Sequence, residues 1–224
     1  MSKLILALDV DSYQKAMHWV NRLYPRVKIF KVGLQLYTAC GPKIIKDIRK
    51  KGAEVFLDLK FNDIPNTMAN AAKEALRHKV AMFTVHTLAG PAALKAVAAV
   101  CKNKKTKVLG VTLLTSICQR FLNDLGIRRP LHDEVLCLAR MAKRCGLDGV
   151  VCSVQEAGMI RKAMGKNFII VTPGIRPDKA KADDQRRLAT ASQAVKAGSN
   201  FLVVGRPILK AKNPRLAVED LFKD

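Results

Sequence analysis

Eight short runs rich in Val, Ile, Leu and Phe recur along the 224 residues, and each is followed by a longer amphipathic stretch. The runs occupy 4–10, 27–32, 53–59, 81–85, 108–113, 149–152, 168–171 and 201–204. The stretches between and after them, at 13–23, 44–51, 67–78, 92–102, 133–144, 155–164, 185–197 and 215–222, read as helices. Strand thus alternates with helix throughout, which marks βα units rather than hairpins. The runs are apolar on consecutive positions, so their strands are covered on both faces and the sheet is parallel. An open doubly wound sheet would also satisfy this pattern. No G-x-G-x-x-G follows the first strand, however, and eight units in a chain of this length favour closure. The expected fold is α/β, a (β/α)8 TIM barrel spanning 1–224 as a single domain. The stretch 172–185 is long, polar and proline-containing, and is expected to be a mobile lid.

Composition narrows the function classes. With 49% hydrophobic residues and a mean hydropathy of +0.04 the chain can fill a core, and nothing biases it toward disorder. Forty Lys and Arg against 18 Asp and Glu give a net charge of +22, which attracts polyanions. That charge is spread along the chain, and its densest clusters, 49–51 and 102–107, fall where helices end and cations complement the helix dipole. Only 5% of residues are aromatic, which leaves little stacking surface, so small anionic substrates fit better than nucleic acid and no nucleic-acid partner is expected. The six cysteines lack C-x-x-C spacing and read as mostly buried thiols rather than as a disulfide framework. No run is long enough for a membrane span or a signal peptide, and a cytoplasmic location is expected.

In a barrel of this kind the site lies at the C-terminal ends of the strands. Those ends are polar: Asp9, Lys31, Asp58 and Lys60, His86, Thr115 and Ser116, Ser153, Pro173-Gly174 and Gly205-Arg206. Any one of them could be half of a salt bridge that ties strands together, Asp9 especially. The string Asp58-Leu59-Lys60-Phe61-Asn62-Asp63 says more. Side chains two apart on a strand share a side, so Asp58 and Lys60 should project together, and Lys31 from the neighbouring strand should meet them. Flanking carboxylates favour the charged form of a lysine, and such a lysine is a ready proton donor. The loops after strands 7 and 8, where barrels often bind phosphate, each pair a glycine with an arginine: Gly174 with Arg176, and Gly205 with Arg206. His86 reads as a hydrogen-bonded structural residue rather than a base. No G-x-S-x-G, H-E-x-x-H or P-loop is present, so serine hydrolysis, zinc proteolysis and nucleotide hydrolysis lack support.

Asp58-x-Lys60-x-x-Asp63 followed by Ile64-Pro65-Asn66-Thr67 resembles the signature of the orotidine 5'-phosphate decarboxylase family. The likeness extends through Leu6-Ala7-Leu8-Asp9, Phe30-Lys31-Val32-Gly33, Leu114-Thr115-Ser116, Thr172-Pro173-Gly174-Ile175-Arg176, Gln185 and Val204-Gly205-Arg206-Pro207. It implies conversion of orotidine 5'-monophosphate to uridine 5'-monophosphate and CO2 without metal or other cofactor. By resemblance, Lys60 protonates C6 of the pyrimidine, Asp58 lies against the departing carboxylate, and Lys31 and Asp9 hold the ribose. Asp63 and Thr67 would reach the neighbouring site of a homodimer, and Ile64 would be a further substrate contact. Thr115 and Ser153 would touch the base, Gln185 would bridge base and phosphate, and Pro173, Arg176, Gly205 and Arg206 would surround the phosphate. A Mg2+-dependent decarboxylase of sugar phosphates is the nearest rival, since it shares D-x-K-x-x-D. Such enzymes tend to carry a carboxylate where this chain has Lys31.

Overall fold

The computed structural model describes residues 3–176 and 189–221. Its eight strands are β1 (Lys3–Ala7), β2 (Ile29–Gly33), β3 (Glu54–Phe61), β4 (Met82–His86), β5 (Lys107–Val111), β6 (Gly149–Val151), β7 (Ile169–Thr172) and β8 (Phe201–Val204). They pair in sequence order, all parallel, and β1 closes on β8, so the expected barrel is present. The main helices outside it are α1 (Tyr13–Leu23), α3 (Lys43–Lys50), α4 (Pro65–Arg77), α5 (Gly90–Cys101), α7 (Leu131–Arg144), α8 (Val154–Met164), α9 (Ala191–Lys196) and α11 (Pro214–Asp220). Three shorter helices, α2 (Leu34–Cys40), α6 (Gln119–Asp124) and α10 (Arg206–Leu209), lie in the connections. The expected helix at 185–197 is described only from its N-cap onward. Thr190 and Gln193 form a reciprocal capping box there. Residues 177–185 of the expected lid, Gln185 included, lie outside the described residues.

Two apolar layers follow from the twofold alternation of strand side chains. Outward-facing residues such as Leu6, Phe30, Val55, Leu57, Phe83 and Val150 pack under the helices in the larger cluster. Inward-facing Ile5, Ala7, Ile29, Phe56, Met82, Leu109, Val171 and Val203 plug the barrel itself. Continuing each strand by two more residues gives the next inward tier: Asp9, Lys31, Asp58, Thr84, Val111, Val151, Pro173 and Gly205. The plug is apolar, and half of the tier above it, Asp9, Lys31, Asp58 and Thr84, is polar. The site therefore rests on a filled barrel, and its charges sit one layer above hydrocarbon.

No helix among the described residues is long and apolar enough to cross a membrane. None of the six cysteines forms a disulfide, and Cys101, Cys145 and Cys152 are buried.

Candidate active site

The polar tier assembles an alternating charge chain across three neighbouring strands. Lys31 Nζ lies 3.0 Å from Asp9 Oδ1 and 3.7 Å from Asp58 Oδ2, and Lys60 Nζ donates to Asp58 Oδ1 at 2.9 Å. Asp9 is half exposed at the rim, whereas Lys31 and Asp58 retain only 11% and 13% of their side-chain exposure. A buried charge is tolerated here because each has partners of opposite sign. Burial pushes the Asp58 carboxyl upward, but the ammonium groups of Lys31 and Lys60, with hydrogen bonds from Lys60 and Thr84, outweigh it and hold the group below its ordinary value. Gly33 makes room for this packing: a Cβ there would stand 2.8 Å from Lys31 Nζ.

Asp58 and Lys60 meet, though not by the regular alternation expected of a strand. Lys60 has φ +51°, in the left-handed region, and the β3–β4 register shifts between Leu57 and Phe61. A non-glycine residue in that conformation costs about 1–2 kcal/mol. The displaced Lys60 N–H leaves the ladder and donates instead to Thr84 Oγ1 at 2.9 Å. That hydroxyl in turn donates to Asp58 Oδ1 at 3.0 Å. Thr84 is fully buried. One hydroxyl thus fixes both the strained lysine backbone and the carboxylate its ammonium touches. Sequence reading passed over Thr84 because it sits inside the apolar run Met82-Phe83-Thr84-Val85. Its signal was positional, since it follows inward-facing Met82 by two residues.

Replacing Thr84 by valine keeps the shape and removes both hydrogen bonds. A buried N–H left unsatisfied costs about 1–3 kcal/mol, so turnover is expected to drop roughly 5- to 150-fold with KM little changed. Serine at this position should restore most of it. Steady-state kinetics of the valine variant showing wild-type kcat would contradict this role.

Beside the charge chain a pocket opens at the barrel mouth. It is lined by Asp9, Lys31, Asp58 and Lys60 on one side, and by Pro173, Gly174, Arg176, Gly205 and Arg206 on the other. Thr115 also lines it, and Phe56, Val111, Val151 and Val203 form its apolar base. Gly205 comes close to β1, where a Cβ would lie 3.3 Å from Asp9 Oδ2 and from Ala7 Cβ. Nine of the expected residues therefore share one cavity: Asp9, Lys31, Asp58, Lys60, Thr115, Pro173, Arg176, Gly205 and Arg206. Such a cavity can bind an elongated anion, with its phosphate at the arginines and its reacting group at Lys60.

Other expected residues lie elsewhere. Asp63, Ile64 and Thr67 are exposed on the loop after β3 and the first turn of α4, outside the pocket. Asp63 Oδ1 accepts from the Ile64 N–H at 2.7 Å. Ser153 is buried, donates to the Glu156 carboxylate and caps α8 by accepting from the Gln155 N–H. His86 accepts from the Leu88 N–H at 3.3 Å through Nδ1, and burial together with the nearby Lys60 charge lowers its pKa. It is a hydrogen-bonded residue at the C-terminal end of β4.

The model of the orotidine 5'-phosphate decarboxylase / HUMPS family matches residues 2–221. The chain belongs to this family. The orotidine 5'-phosphate decarboxylase of Syntrophotalea carbinolica is 49% identical over 99% of the chain and 94% of its own length. That of Geotalea daltonii is 48% identical over 100% and 95%. Among solved structures, the decarboxylase of Lactobacillus acidophilus superposes with a TM-score of 0.88 at 37% identity, covering 100% of this chain and 98% of that one.

Proposed function

We propose that the chain decarboxylates orotidine 5'-monophosphate to uridine 5'-monophosphate and CO2, the closing step of pyrimidine nucleotide synthesis, with no metal or other cofactor. The observation that carries this is the Asp9–Lys31–Asp58–Lys60 chain, with an ammonium inside a pocket whose far side presents two arginines. Loss of CO2 from C6 leaves an electron pair in the plane of the ring. Lys60 provides positive charge where that pair develops and then donates a proton to it. Asp58, held ionised by its two lysines and Thr84, lies against the substrate carboxylate and favours its departure. Lys31 and Asp9 orient the ribose hydroxyls. Thr115 contacts the base and Gln185 bridges base and phosphate, while Arg206, Arg176, Pro173 and Gly205 grip the phosphate; buried Ser153, held by Glu156, stands outside the pocket and is not part of this set. Relatives 44–49% identical across the chain, all named orotidine 5'-phosphate decarboxylases, support this substrate over a sugar phosphate. So does Lys31, which stands at the end of β2 where the sugar-phosphate enzymes tend to carry a metal-binding carboxylate.

The test is the fall in substrate absorbance with purified protein in excess EDTA. Full activity in chelator is expected. Activity that requires added Mg2+, or a sugar phosphate consumed in place of the nucleotide, would move the chain to the other branch of its family.

The functional unit we propose is a homodimer in the cytoplasm. Leu34, Ile64, Leu88 and Leu114 are exposed on the loops after β2, β3, β4 and β5, four consecutive positions on the rim of the barrel mouth. An apolar rim of this kind suits a second copy of the chain, which would bring Asp63, Ile64 and Thr67 to the neighbouring pocket. Lys60→Ala and Asp63→Ala variants mixed in equal amounts then give heterodimers with one intact site. Subunit exchange should recover about a quarter of wild-type activity, because half the dimers are mixed and each has one working site. Dimers that exchange subunits without any gain in activity would rule out the shared site.

A further inference from the structure

The opposite end of the barrel, at the N-terminal ends of the strands, carries a groove for which decarboxylation has no use. Its volume is about 1290 Å3, against about 230 Å3 for the pocket at the mouth. Arg49 from α3, Lys73 from α4, Lys79 beyond α4, and Lys104 and Lys105 before β5 line it, and none of them pairs with a carboxylate among the described residues. Arg77 and Lys107 also line it, paired with Glu74 and Asp148, and Glu54 is its one acidic lining residue among those described. Its floor is apolar: Leu76, Val80, Met82, Val100 and Phe201.

The topology explains how this charge gathers. The main helices run antiparallel to the strands, so their C-termini arrive at this end, and cations in the last turns complement the helix dipoles. Arg49 and Arg77 fit that account, being in the last turns of α3 and α4. Lys79, Lys104 and Lys105 lie beyond the helices and exceed it. Arg49 of the basic cluster 49–51 and Lys104, Lys105 and Lys107 of the cluster 102–107, far apart in the sequence, are thus folded onto one concave surface. The charge-dispersal premise that disfavoured nucleic acid does not hold for this face.

We propose that this groove binds single-stranded nucleic acid, with phosphates along the lysine walls and bases against the apolar floor around Phe201. Its volume exceeds the roughly 300–1,000 Å3 of small-molecule pockets, which fits a run of nucleotides better than one small anion. Its concavity does not suit a flat bilayer. A duplex, whose bases are stacked inside, would make no use of the apolar floor. The proposal stands independently of the decarboxylase assignment.

Fluorescence anisotropy with a labelled oligouridylate about a dozen nucleotides long reads this directly. If about four phosphates are neutralised, doubling the salt should weaken binding roughly sevenfold. The variant Lys79→Glu/Lys104→Glu/Lys105→Glu should lose at least about tenfold in affinity at unchanged decarboxylase turnover, which also shows that it is folded. A control, Lys46→Glu/Lys95→Glu/Lys212→Glu, removes the same charge at exposed lysines outside the groove and should lose no more than about twofold. Equal losses in both variants would mean that only net charge matters, and would overturn the site. Tighter binding of polyglutamate or of phosphatidylglycerol vesicles, with the same sensitivity to the groove variant, would overturn the choice of nucleic acid. On the wild-type protein, oligouridylate should protect Lys79, Lys104 and Lys105 from acetylation; unprotected lysines in the complex would reject the groove without recourse to any variant.

Discussion

Lys60→Ala is expected to lower kcat by at least about 10⁴-fold, because two functions reside in one atom. A positioned proton donor contributes about 10²–10⁴-fold. A preorganised charge facing the developing carbanion in a water-poor pocket contributes about 10²–10³-fold more. Alanine removes both, and it also leaves Asp58 with Lys31, 3.7 Å away, as its only ammonium partner among the described residues. KM should change far less than kcat, since the phosphate and ribose contacts remain. Rapid-quench measurement of bound substrate and product separates the two effects. A variant that turns over within about a hundredfold of wild type would show that the proton comes from elsewhere, and the chemistry assigned to this charge chain would fall with it.

Arg206→Ala is expected to lower kcat/KM by about 10³-fold, with part of the loss in kcat itself. A guanidinium holding a phosphate through charge-assisted hydrogen bonds contributes several kcal/mol when partly desolvated. Arg206, after β8, lines the same pocket as Lys60 of β3, and in the proposed pose it holds the phosphate rather than the reacting carbon. Any effect on kcat must therefore come from binding energy that is used to assemble the site around the substrate. Orotidine, which lacks the phosphate, supplies the control: its slow turnover should be nearly indifferent to Arg206→Ala, completing a cycle in which enzyme group and substrate group are removed separately. Lysine at 206 should recover only part of the loss, because it keeps the charge without the planar fork. A kcat that stays at the wild-type value under saturating substrate would confine Arg206 to uniform binding.

Much of this architecture could be read from the chain because parallel strands buried on both faces leave continuous apolar runs, and all eight runs became strands. The strand ends were legible for the same reason: in a filled barrel, a polar residue near the C-terminal end of an apolar run, or in the loop that follows it, stands at the rim. Asp9, Lys31, Asp58, Arg176 and Arg206 were found in this way. Short connecting helices were not. Leu34–Cys40 and Gln119–Asp124 span two turns or fewer, their N-caps Gly33 and Cys118 make no side-chain capping hydrogen bond, and so neither periodicity nor a capping signal announces them. The left-handed backbone at Lys60 was also hidden, because nothing in Leu59-Lys60-Phe61 resembles a turn. Tertiary context holds it there, through a hydroxyl on the next strand. The basic groove escaped for another reason: sequence shows how many charges there are and where helices end, but only the closed topology shows that those ends converge.

The stacking of a polar tier directly on an apolar plug limits how chain length can vary. On β2, Ile29 fills the barrel and Lys31 joins the site, while Phe30 and Val32 pack outward under the helices. A one-residue insertion or deletion between Ile29 and Lys31 would turn the ammonium toward the helices and a phenyl or valyl group toward the substrate, damaging core and catalysis in one event. Gains and losses of residues across descendants of such a chain should accordingly accumulate in the connections, with the eight strands keeping constant length even where their apolar residues are exchanged.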